Sequence, residues 1–75
     1  MEHTLRILSR DGDTAVAWKP ADAASVTEAE TKFDALKAQG YAMFAASAPG
    51  VQKEQVRKFD PEAFEIVAVP ALAGG

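Results

Sequence analysis

Only one stretch of this chain has the three- and four-residue apolar spacing of a helix. Val26, Ala29, Phe33 and Leu36 recur along the segment from Asp22 to Gln39, with Glu28, Glu30, Lys32, Asp34 and Lys37 mostly on the remaining surface. A lone amphipathic helix has to bury its stripe against something else, and the rest of the sequence must supply an apolar sheet face for it. The chain has 75 residues, which makes it one domain, near the lower size at which a single core suffices. It has no cysteine, so neither a disulfide nor a thiolate nucleophile is available, and its single histidine, His3, makes a conventional metal cage unexpected.

Three helix starts fit the sequence: Asp22, Ser25 with Glu28, and Thr27 with Glu30, the last two at capping-box spacing. The stop is clearer, because Gly40 stands where a left-handed C-terminal cap belongs.

The flanking segments read as strands. "HTLRILS" is rich in aliphatic and β-branched residues, "RDGDT" supplies Asp11-Gly12 for a tight hairpin turn, and "TAVAWKP" returns until Pro20 stops it, which predicts a hairpin from Thr4 to Lys19. After Gly40, "YAMFAAS" predicts a third strand over Tyr41 to Ala46, ended by Ala48-Pro49-Gly50. "VQKEQVRKF" is polar, with Val56 and Phe59 as anchors of a short edge strand or a turn, and "FDPE" predicts a type I turn led by Asp60 and Pro61. The last strand, Ala63 to Val69, is apolar on both parities, with Phe64, Ile66 and Ala68 on one side and Val67 and Val69 on the other. Such a strand belongs in the middle of a sheet or has an outer face that meets a partner.

Placing it beside and parallel to the first strand gives an α+β, β-grasp arrangement: a mixed sheet of four to five strands with one main helix crossing one face. An open ferredoxin-like sandwich is the weaker alternative, since one helix is present where that fold needs two. The folded domain is expected over residues 1–69, and 70–75 form a tail.

A net charge of −3 and eight basic residues dispersed from Arg6 to Lys58 argue against nucleic acid as a partner. No apolar run approaches the roughly 18 residues needed to span a bilayer, and "MEHTLRILSR" lacks a basic region followed by an apolar one, so a cytoplasmic protein that does not engage membranes is expected.

The tail "VPALAGG" holds two of the five glycines, Gly74 and Gly75. With the β-grasp order before it, the chain resembles the ubiquitin-like modifier superfamily, particularly the small bacterial ubiquitin-like proteins encoded beside activating, conjugating and deconjugating enzymes. The same tail is similar to the ends of bacterial sulfur carriers of the thiamine and molybdopterin pathways. The resemblance implies that a partner adenylating enzyme uses ATP to activate the Gly75 carboxylate. It also implies that Pro70, Ala71, Leu72 and Ala73 form the segment threaded into that enzyme, and that no cofactor is bound by the chain itself. Glycines without Cβ atoms lie extended in a narrow slot and leave the terminal carbonyl open to attack. In a modifier the acyl group passes through a thioester, by way of a conjugating enzyme, to an amine or hydroxyl of a target protein, and a deconjugating peptidase reverses the bond. In a sulfur carrier the carboxylate becomes a thiocarboxylate. The ending carries Leu72-Ala73 where eukaryotic ubiquitin has an arginine before its glycines, so an arginine-reading activating enzyme is not implied.

Leu8, Val67 and Val69 form a candidate partner patch, with sheet packing the alternative explanation. A non-covalent β-grasp binding module is therefore a third reading. Trp18, Phe33, Phe44 and Phe64 lie on regular elements and are expected in the core; His3 is expected in solvent. Asp11 and Asp13 read as turn residues. No convergent nucleophile and base can be named, so the isolated chain is expected to be no enzyme and, when free, a monomer.

Overall fold

The computed structural model describes residues 2–9 and 12–70. Among them are β1 (His3–Ile7), β2 (Thr14–Trp18), α1 (Ala23–Ala38), β3 (Ala42–Ala46), β4 (Glu54–Val56) and β5 (Glu65–Val69). The strands form one sheet in the order β2-β1-β5-β3-β4. β1 pairs antiparallel with β2 and parallel with β5, and β3 pairs antiparallel with both β5 and β4. A mixed sheet with a central parallel pair and one helix on it is the α+β, β-grasp layout that the two-sided last strand predicts.

α1 is bounded by local chemistry. Of the three candidate starts the chain uses Asp22, whose carboxylate accepts from the Ala24 and Ser25 N–H groups at 3.1 and 3.4 Å. The Ser25 hydroxyl turns back to the Lys19 and Asp22 carbonyls, and Thr27 bonds the Ala23 carbonyl inside the helix; neither therefore caps it. At the other end the Gly40 N–H reaches the Lys37 carbonyl and the Tyr41 N–H reaches that of Leu36, at 3.0 and 3.1 Å. This is a Schellman closure, which needs the positive φ of 96° that Gly40 adopts.

The core lies between α1 and one sheet face: Ala29, Phe33 and Leu36 from the helix meet Leu5, Ile7, Trp18, Met43, Ile66 and Ala68. Register explains the selection, because Leu5 faces Ile66 and Ile7 faces Ala68 across β1 and β5, while Met43 faces Ala68 across β3 and β5. Each pair shares one side of the pleat.

Several expectations are corrected. The first hairpin is not among them: β1 and β2 pair antiparallel, Gly12 takes the positive φ of 118° expected of a turn residue, and its N–H closes on the Ser9 carbonyl at 3.3 Å; Asp11 lies outside the described residues. The edge strand is Glu54–Val56, so Phe59 lies beyond it and packs its ring on Trp18 and Phe33, with centroids 5.0 and 5.8 Å away. Phe44 and Phe64 are half-buried and outside the core cluster, whereas Ala63 is inside it. His3 is not solvated as expected: it is half-buried, its ring lies 5.5 Å from that of Trp18, and its Nδ1 bonds the Ala63 carbonyl.

The turn before β5 matches its expectation: the Ala63 N–H closes on the Asp60 carbonyl at 3.1 Å, and the Asp60 carboxylate accepts from the Glu62 N–H at 2.9 Å. No helix among the described residues is long and apolar enough to cross a membrane.

Candidate functional site

β5 is the strand that leads into the tail. It is hydrogen-bonded on both sides, by β1 and β3, and its last residue, Val69, stands opposite Ala42. Pro70, the one tail residue described, is half-buried; Ala71, Leu72, Ala73, Gly74 and Gly75 lie outside the described residues. The strand that precedes the tail is thus the central one of five, paired on both sides.

The face of β5 away from α1 is built by register. Across all five strands one row reads Ala15, Arg6, Val67, Phe44, Gln55, and a second reads Ala17, Thr4, Glu65, Ala46. Leu8 continues the parallel ladder, its N–H donating to the Ala68 carbonyl at 3.0 Å, which sets it beside Val69. Leu8, Val67 and Val69 are therefore neighbours on this open face, all half-buried, and Val67 and Val69 do not belong to the core cluster.

Phe44 is the residue of this face that sequence reasoning missed. It faces Val67 directly across β3 and β5 and brings the only aromatic ring into these two rows. In "AMFAA" both Met43 and Phe44 are apolar and of similar size, so alternation cannot say which enters the core; pairing with β5 decides it.

A charged border adjoins the apolar row. Glu65 sits between Arg6, at 3.5 Å, and Lys53, at 3.2 Å, with the two cations about half exposed and the carboxylate more covered. One carboxylate is shared by two cations at this border. Exposed pairs of this kind contribute little to stability and more to the choice of partner.

A separate cleft of about 140 Å³ lies beside β4, lined by Ala45, Val51, Val56 and Ala63 with Glu54 and Asp60. Among the described residues no group of three His, Cys, Asp or Glu is placed to hold a metal ion. The described residues thus offer an open sheet face beside the strand that ends at Val69. No family model, curated protein or solved structure matches the chain.

Proposed function

We propose that the chain is a ubiquitin-like protein modifier whose working group is the Gly75 carboxylate, as the chain ends or after a peptidase has cut behind it. The observation that carries this reading is the junction of a central β5 with a tail of small residues and two glycines. A tail leaving a strand paired on both sides has a fixed origin relative to the open face, so an enzyme that grips the face finds the tail at a set distance.

In this reading a partner enzyme binds ATP, and the Gly75 carboxylate attacks its α-phosphorus and expels pyrophosphate. A thiolate of the enzyme then displaces AMP from the acyl-adenylate to give a thioester, which a target amine or hydroxyl opens. The chain's own part is to present the carboxylate and to be recognised: Pro70 to Ala73 enter the activating enzyme, while Leu8, Val67, Val69 and Phe44 offer an apolar docking surface. The conjugating enzyme and the deconjugating peptidase read the same surface.

The likeness of "VPALAGG" to sulfur-carrier tails supports a second reading, in which hydrosulfide-level sulfur delivered by a partner sulfur donor attacks the carbonyl of the same adenylate, expels AMP and leaves a thiocarboxylate. Incubation with ATP and the activating and conjugating enzymes separates the two. A modifier yields covalent adducts that contain the chain intact through Gly75 and are lost when Gly74 and Gly75 are deleted. Adducts that survive the deletion overturn the proposal. A native-cell mass in which one oxygen is exchanged for sulfur selects the carrier.

A further inference from the structure

The two edges of the sheet are not protected alike. β4 is three residues long and carries Glu54, and both shortness and charge discourage pairing with another chain. β2, at the opposite edge, is the five-residue TAVAW, with no charge and no proline, paired with β1 at every position without a bulge. Thr14, Ala15 and Ala17 are exposed, and Pro20 comes only after the strand has ended. Unpaired backbone donors and acceptors along such an edge are a template for a further strand.

The flanking residues indicate which strand. Asp13 and Lys19 lie one position beyond each end of β2; both are exposed, and among the described residues neither is in an ion pair. If β2 pairs antiparallel with a second β2 centred on Val16, all five residues of each strand are matched. Thr14 then faces Trp18, Ala15 faces Ala17, Val16 faces its own copy, and Asp13 of each chain faces Lys19 of the other. Strand alternation puts Asp13, Ala15, Ala17 and Lys19 on the open face and Thr14, Val16 and Trp18 on the helix side, so like faces meet. Lys19, just past the strand, has its own N–H on the Ser25 hydroxyl at 3.0 Å and its carbonyl on the Asp22 N–H at 2.9 Å, so backbone pairing is confined to β2 and Lys19 meets Asp13 through its side chain alone.

We infer that the chain associates with a second copy of itself through β2, as a two-fold antiparallel strand pair closed at each end by an Asp13–Lys19 ion pair. The surface is self-complementary, as an isologous two-fold contact requires. Half-buried Val16 covers its counterpart, and the two sheets continue into one. A seam of this size belongs to the weak class, below about 1,200 Å². It departs from the monomer expected of the free chain. Because β1 separates β2 from β5, the association leaves the exit of the tail uncovered and stands whether or not Gly75 is conjugated.

The test is sedimentation of the full chain up to the millimolar range, with charge reversals at the two flanking positions. The expected result is a monomer–dimer equilibrium that D13K and K19D each weaken roughly tenfold, since either substitution turns two facing opposite-charge pairs into like-charge pairs. The doubly exchanged D13K/K19D chain restores it. An equimolar mixture of the two single variants forms a heterodimer tighter than either variant's homodimer, because every facing pair is again of opposite sign. Circular dichroism verifies that these exposed substitutions leave the fold intact. A chain that stays monomeric throughout, or a dimer indifferent to both reversals, overturns the inference.

Discussion

His3 and Trp18 face each other across β1 and β2, and both ring nitrogens bond to carbonyls of the same turn, that of Trp18 to Pro61 at 3.0 Å and that of His3 to Ala63. With the Thr4 N–H on the Phe64 carbonyl, this pair ties residues 61–64 to the first hairpin just before β5 begins. The entry to the tail-bearing strand is thus set by a hairpin far away in sequence.

Trp18→Phe removes the indole donor and leaves a gap beside Phe59 in the core. Unfolding in urea is expected to show a loss of about 2 kcal/mol, the combined effect of a lost hydrogen bond and a partly filled cavity. Amides of residues 62–64 should exchange faster than those of α1.

Asp22→Ala should cost about 1 kcal/mol, whereas Asp22→Asn, which keeps the accepting oxygen, should cost a few tenths at most. Thr27→Ala is expected to be near neutral, because that hydroxyl bonds within the helix and not at its start. Equal losses at positions 22 and 27 would contradict the cap assignment.

Gly40→Ala places a Cβ on a residue at φ 96° and should destabilise by about 1–2 kcal/mol. The same denaturant titration reads it, and an unchanged midpoint would mean that the Schellman closure is dispensable.

Phe44→Ala separates surface from core. Phe33→Ala, within the buried cluster, should cost about 3–5 kcal/mol, while Phe44→Ala should cost about 1 kcal/mol and leave the fold intact. If the open face is where enzymes dock, thioester formation by Phe44→Ala in the presence of the activating enzyme should fall at least tenfold, and wild-type turnover would count against that role.

What could be read along the chain follows from interactions between near neighbours. The apolar spacing from Val26 to Leu36, the Gly40 stop, the Asp60-Pro61 turn and the apolarity of β5 on both parities are all local, and each appears in the structure as expected. Expectations failed where a residue's surroundings come from a distant segment. Phe59 reads along the chain as an anchor of an edge strand or a turn, because its partners, Trp18 and Phe33, lie far back in the sequence.

The sequence by itself determined where the one helix runs and that the last strand is apolar on both sides, because periodicity and parity are local properties of the chain. Two-sided apolarity favours a mixed sheet with that strand at its centre over a strand whose outer face meets a partner. Only the tertiary structure decided that Met43 turns inward and Phe44 outward, and that His3 joins an aromatic cluster. Those choices depend on which strand or turn lies alongside, and a one-residue difference in register reverses the face that every side chain of a strand presents.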